Sequence, residues 1–207
     1  MKNFFSIIII TVLVIIGGYF LLTKTKIQTP KKEFINIETG NLPPWGNPEA
    51  PIKIIEFGDF LCPFCARAVI LLYPQLESLI NEGKVVLYFR DFIVHPQANI
   101  IHNASRCANE QGKYWEFNKL AFQKLLDDIE MTKKENLINL AQELNLDIQS
   151  FEKCVDENRY NQDIQNDFQA GINADVEGTP TFFINGQKVV GLNIPKIMSV
   201  INNLLNK

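Results

Sequence analysis

Histidine and cysteine are scarce in this chain, with two of the first and four of the second among 207 residues. A structural zinc site wants four such ligands, usually in closely spaced pairs. Cys62 and Cys65 form one pair, but Cys107, Cys154, His95 and His102 supply no second one. No metal, flavin or nucleotide motif is found, so no cofactor and no metal is expected. Acidic residues are missing from the first 32 positions, which hold Lys2, Lys24, Lys26, Lys31 and Lys32. With those five lysines set aside, 15 basic residues face 23 acidic ones, a net charge of -8. An acidic body speaks against nucleic-acid binding, which draws on a basic surface. Internal repeats are lacking too.

What is present is concentrated around one motif, Cys62-Pro63-Phe64-Cys65. It lies between Ile52 to Phe57, which reads as a strand, and Ala66 to Ile80, which reads as one helix. A thiol at the first turn of a helix faces unpaired N–H groups and the positive end of the helix dipole, so its thiolate is favoured. A second thiol one turn along can close on it as a disulfide. Pro63 suits the first helical position, where no N–H is needed. The alternative is half of a zinc site, against which the missing second pair counts.

Phe4 to Leu22 is a 19-residue run without a charge. At 1.5 Å per residue it reaches roughly 28 Å, the thickness of a bilayer core. A cleaved signal peptide would be shorter and end in an A-x-A-like site, which is not found after the run. An uncleaved membrane anchor is therefore expected in residues 1–32, with Thr23 to Lys32 as a polar tether. The lysines after the span would keep the body in the cytoplasm. Large domains translocate largely regardless of charge, and the cysteine usage favours an oxidising compartment, so an extracytoplasmic body is expected.

Residues 33–207 make the second domain. Asn41 to Pro51 is a turn-rich lead-in. Asn81-Glu82-Gly83 stops the first helix, and Lys84 to Arg90 reads as a second buried strand, completing a parallel βαβ unit. From about 96 to 173 the pattern is helical. Thr132 with Glu135 reads as a capping box ahead of Leu137, Leu140, Ala141 and Leu144. Thr181 to Val190 reads as a hairpin turning at Asn185-Gly186, followed by a helix with Pro195 near its start.

This order resembles the thioredoxin superfamily, and in detail its DsbA-like branch, the bacterial extracytoplasmic disulfide oxidoreductases. The matching stretches are Gly46 to Pro51, Glu56-Phe57 with Cys62 to Cys65, Tyr88 to Asp91, Cys107 with Gln111 to Trp115, and Gly178 to Gly186. The resemblance implies a thioredoxin-like α/β fold with an inserted helical subdomain at about 96–173. It implies Cys62 as the exposed nucleophile, Cys65 as its buried partner and Pro180 as a cis-proline against them. Without the family, Thr179-Pro180 reads as an ordinary trans turn. Glu56 would be a buried acid whose raised pKa lets it hold or release the proton of Cys65; the alternative is an exposed Glu on a strand edge. Substrate would run along Thr179, Pro63 and Phe64. Some members of the branch carry a second cysteine pair, so Cys107 and Cys154 are expected to form a structural disulfide, the alternative being two buried thiols. His95 and His102 read as structural or surface residues.

The expected activity is protein thiol–disulfide exchange, introducing disulfides into client proteins with free cysteines. The family implies a membrane quinone-linked thiol oxidase as the electron acceptor. Phe64 stands where a His is often found between the cysteines, and Thr179 resembles the reductase and isomerase branches as much as the oxidase one. A reductase or isomerase, for instance in cytochrome maturation, and a redox-inert peptide-binding or chaperone module are the alternatives.

Overall fold

The computed structural model describes residues 36–206. The expected anchor and tether in residues 1–32 lie outside the described residues; among those described, no helix is long and apolar enough to cross a membrane.

Four strands form one sheet in the order β2-β1-β3-β4. They are β1 (Ile52–Gly58), β2 (Val85–Asp91), β3 (Thr181–Ile184) and β4 (Gln187–Val190). β1 pairs parallel with β2 and antiparallel with β3, which pairs antiparallel with β4. β1 and β2 are buried at every position but Lys53 because both faces of the sheet are covered. On one face Ile52, Ile54, Val85, Leu87, Phe182 and Ile184 share a core with α1 (Pro63–Leu71), α2 (Tyr73–Asn81) and the C-terminal helix. On the other, Ile55, Phe57, Val86 and Phe183 pack with Phe92, Ala174 and Val176. The β3–β4 turn puts Asn185 and Gly186 at φ 44° and 81°, the left-handed conformations that a two-residue hairpin loop requires.

Between β2 and β3 the chain makes five helices: α3 (Asn99–Asn109), α4 (Tyr114–Leu126), α5 (Lys134–Glu143), α6 (Ile148–Asp156) and α7 (Asn161–Asn173). A helix α8 (Ile194–Leu205) follows β4, with Asn193 Oδ1 accepting from the Lys196 N–H at its start. Cys107 on α3 and Cys154 on α6 are bridged, with Cα atoms 5.8 Å apart. In the chain-entropy description, closing a 47-residue separation stabilises the fold by about 4 kcal/mol.

Two local readings of the sequence need correction. The stretch Ala66 to Ile80 is two helices rather than one, because Pro74 has no N–H to give to the Ile70 carbonyl and its ring crowds that turn. The Gln75 N–H turns to the Leu72 carbonyl, and Gln75 Nε2 reaches the Leu71 carbonyl at 2.7 Å. Thr132 does not cap α5. Lys133 takes the N-cap position, and the Thr132 hydroxyl turns away to Glu130.

Candidate active site

Cys62 is the N-cap residue of α1, with extended backbone, and Pro63 occupies the first turn. The Cys62 carbonyl accepts the Ala66 N–H at 3.1 Å, so the cysteine is fixed to the helix start through its own backbone. Cys65 lies one turn inside and is fully buried. The two sulfurs are not bridged to each other in this structure. The expectation of an exposed nucleophile needs adjustment, since Cys62 is only 5% exposed. Its thiol donates to the Thr179 carbonyl at 3.3 Å, and that segment covers it. The Thr179–Pro180 bond is cis. The Pro180 carbonyl accepts the Gly191 N–H at 2.8 Å, tying this turn to the end of β4.

Electrostatics separates the two thiols. Cys62 is lowered to about 5, chiefly because the Cys65 thiol donates to it. Burial opposes the shift; the Thr179 hydroxyl and the backbone N–H groups of Cys65 and Phe64 add to it. Once Cys62 has lost its proton it can no longer donate to the Thr179 carbonyl. The Thr179 Oγ1, buried and otherwise unpartnered, is then the donor available on that side. Cys65 is pushed well above the usual thiol value, first by burial, then by the hydrogen it gives to Cys62 and the charge of Glu56. One sulfur is thus an anion near neutral pH and the other holds its proton. Phe64 contributes through its backbone N–H, while its side chain stands 53% exposed beside Cys62 with the Arg67 guanidinium over its ring.

Glu56 projects from β1 into the core shared with α1 and α2 and is fully buried. Burial raises its pKa to about 8, against a hydrogen bond from the Tyr73 hydroxyl to Oε2 at 3.0 Å. Its other oxygen, Oε1, has no partner. The structure therefore brings Cys62, Cys65, Glu56, Thr179 and Pro180 to one end of the sheet. It places Cys107 and Cys154 apart, inside the helical block.

The sequence assigns no functional role to several residues around the site, His95 and His102 reading as structural or surface residues. Asp59, one residue past β1, accepts from the Leu61, Val94 and His95 N–H groups at 2.7, 2.7 and 2.8 Å, pinning the approach to Cys62. His102 is fully buried, with Nδ1 2.6 Å from Asp91 Oδ1 and Nε2 facing the Phe60 N–H. Arg106 bridges Asp91 and Asp167 at 2.7 Å each, and Arg90 Nε reaches Asp167 at 2.6 Å. Burial pushes Asp91 upward, but Arg106 and His102 outweigh it and hold that carboxyl at about 2. This buried ionic cluster fastens α3 and α7 to the end of β2. Among the described residues no group of His, Cys, Asp and Glu is arranged to hold a metal.

A strand leading to a Cys-x-x-Cys helix, met by a proline turn from the opposite half of the sheet, defines a thiol–disulfide exchange architecture. Residues 38–203 match the sequence model of the family described as thioredoxin, and the chain belongs to that family. It is 30% identical over 148 residues to the "Probable disulfide bond formation protein D" of Bacillus anthracis, which covers 68% of each chain. It is also 32% identical over 143 residues to the "Na(+)/H(+) antiporter NhaA 1" of Salinispora arenicola, matching 69% of this chain and 21% of that protein. The chain thus spans about a fifth of the length of that antiporter relative. Among solved structures it is similar to Wolbachia pipientis alpha-DsbA1, at 27% identity and a TM-score of 0.70 over 80% of this chain and 92% of that one.

Proposed function

We propose that this chain is an extracytoplasmic protein thiol–disulfide oxidoreductase that introduces disulfides into client proteins through Cys62 and Cys65. The observation that carries the reading is the Cys62 sulfur at the start of α1, 3.3 Å from the Thr179 carbonyl and stabilised as an anion, with protonated Cys65 behind it. In the oxidising direction a client thiolate attacks Cys62 of the Cys62–Cys65 disulfide. A client–Cys62 bond forms, and Cys65 leaves and takes up a proton. A second client thiolate then attacks the client sulfur of that bond, and Cys62 departs as a thiolate held by the helix start. A low leaving-group pKa speeds this last step. Extended client chain would pair its backbone alongside Thr179, with Pro63 and the exposed Phe64 ring as neighbours.

Glu56 serves as the proton store for Cys65. The bridged Cys107 and Cys154 are in keeping with an oxidising compartment. A membrane anchor in residues 1–32 would hold the body near a membrane quinone-linked thiol oxidase, which would take the electrons of the reduced pair. The name of the Bacillus anthracis relative supports the oxidase direction.

A reductase or isomerase is the second reading, favoured by Thr179 before the proline and by Phe64 in place of a His between the cysteines. The two differ in the sign of the redox poise. Equilibrating the Cys62–Cys65 pair with glutathione buffers and following oxidative refolding of a reduced, multi-cysteine client tests both. An oxidase has a potential above that of the compartment and speeds disulfide formation. A potential below it, with no acceleration of refolding, would reject the oxidase. A Cys62→Ser protein that still promotes refolding would point instead to a redox-inert peptide-binding module.

A further inference from the structure

We infer that Tyr73 is a positioning residue for thiol exchange: its hydroxyl holds one oxygen of Glu56 and so sets the other as the proton acceptor for Cys65. The inference rests on the exchange reading above and assigns a role to a residue that reading does not use.

The break in the first helix places Tyr73. A helix running straight through residues 66–80 would carry position 73 on with the apolar stripe. Pro74 ends α1 at Leu71 and restarts the chain as α2 at Tyr73, where the ring is buried under β1. From there the phenol donates to Glu56 Oε2 at 3.0 Å, across 17 positions of sequence. Trp45 and Trp115 flank the ring, with centroids 5.4 and 6.4 Å away, and restrict its movement. Glu56 Oε1 is left buried and unpartnered. A lone buried carboxylate oxygen is costly unless something gives it a proton.

The groups facing this carboxyl are few. α1 offers Cys62 and Cys65, and α2 offers Tyr73, with Tyr114 of α4 acting on Tyr73 from behind. The flanking strands present Phe89 and Phe182 opposite Glu56, which carry no charge. Among the described residues Tyr73 is thus the one group that gives a hydrogen bond to a carboxyl otherwise surrounded by apolar surface and thiols. Its hydrogen bond favours the carboxylate, while burial opposes it. The ionised form is what the return of Cys65 to a mixed disulfide needs, the reverse of the step that opens the Cys62–Cys65 bond in the oxidising direction. Glu56 takes the proton of the Cys65 thiol, and the Cys65 thiolate attacks Cys62 of a client mixed disulfide. The Cys62–Cys65 bond forms, the Cys62–client bond breaks, and the client leaves as a thiolate.

Two readouts test this on the whole protein. The first is the titration of the Glu56 carboxyl, read by infrared difference against Glu56→Gln. The second is the pH dependence of single-turnover release of a peptide from its mixed disulfide with Cys62. Tyr73→Phe should raise the Glu56 midpoint by about one unit, the scale of one hydrogen bond to a buried charge. Release below that midpoint should slow by about tenfold in step with it. In a Glu56→Gln background the same replacement should leave the release profile where it is. Incorporating 3-fluorotyrosine at position 73, a stronger donor of the same shape, should move both midpoints down, and it keeps the test open if the Phe variant folds poorly. Unmoved midpoints, or an equal effect of Tyr73→Phe with and without Glu56, would overturn the assignment. A shifted Glu56 titration in a protein that exchanges no disulfides upholds the positioning and rejects the exchange reading instead.

Discussion

The sulfur of Cys62 and the carbonyl oxygen of Thr179 lie 3.3 Å apart, although 117 positions separate the two residues. The contact exists because β1 and β3 are paired neighbours, so the loop before α1 and the turn before β3 end on the same side of the sheet. Thr179 brings both a carbonyl, which accepts from the thiol, and a hydroxyl, which is free to donate to the thiolate. Two protonation states of one sulfur are therefore served by one residue.

The first expectation concerns the pH at which Cys62 reacts. In the reduced protein its alkylation rate should rise with a midpoint near 5, while Cys65 stays unreactive through neutral pH. The linkage has a definite sign. Cys62 titrates at an ordinary 9 when unfolded and about 5 when folded, so its ionisation stabilises the reduced fold fully above 9, and this is lost as pH falls through 5. The oxidised protein lacks that titration, so the advantage of reduced over oxidised protein should grow between pH 4 and pH 9. Thiolate absorbance and paired denaturant titrations measure both effects. A thiolate midpoint of 8 or above would remove the basis of the proposed leaving group.

Gly58 ends β1 with Phe89 directly against it. A Cβ built there would sit 2.6 Å from two atoms of the Phe89 ring and 3.5 Å from the Cys65 sulfur. Phe89 cannot step aside easily, since Phe60 and Phe122 pack on it at centroid distances of 5.7 and 6.2 Å. Gly58→Ala should cost about 1–3 kcal/mol, as overpacking does. It should also disturb Cys65 more than Cys62. Thermal unfolding and the reduction potential of the variant check this, and wild-type values for both would mean that the aromatic cluster is softer than its packing implies.

Much of this arrangement is legible in the sequence, and the rest fails for identifiable reasons. β1, β2 and the β3–β4 hairpin follow from apolar runs and one Asn-Gly pair, which are local signals. Cys62 at a helix start follows from Pro63. The helix break at Leu72 went unread because Val69, Leu72, Leu76 and Ile80 keep an apolar rhythm across it, although Pro74 was the available warning. Tyr73 was hidden for the same reason: an aromatic in an apolar stripe reads as core. The buried ions were illegible outright. Nothing local to Asp91, Arg106 or Asp167 says that they meet, because the meeting depends on how α3 and α7 pack against β2.

That ionic cluster gives a further prediction. Arg106 is 2% exposed and holds two carboxylates from different elements. Arg106→Leu would leave Asp91 and Asp167 facing each other, with Arg90, His102 and the Asp91 N–H as the remaining donors. Breaking a buried pair in this way should cost about 3–5 kcal/mol. The loss should lessen at acid pH, where the stranded carboxyls take up protons. Denaturant unfolding of wild type and variant at pH 4 and pH 7 measures it, and a loss below about 1 kcal/mol at pH 7 would mean that water reaches the cluster freely.

Glu56 should leave the opposite signature in stability. Its carboxyl titrates at an ordinary 4.5 in the unfolded chain and at about 8 in the fold, raised first by burial and further by the charge of Cys62, against the bond from Tyr73. Between those two values the folded protein keeps a proton that the unfolded chain has released. Stability therefore falls as pH rises through that window and levels off above about 8. Glu56→Gln stays neutral throughout and escapes the loss. At pH 8 it should be more stable than wild type by about 2–4 kcal/mol, short of the full conversion of the shift because the amide brings N–H groups that need partners. Below pH 4 the difference should shrink to near zero, both side chains then being neutral. Unfolding midpoints at the two pH values decide it: an equal gap at both would trace the gain to packing, whereas a gap that opens only with rising pH belongs to the buried charge.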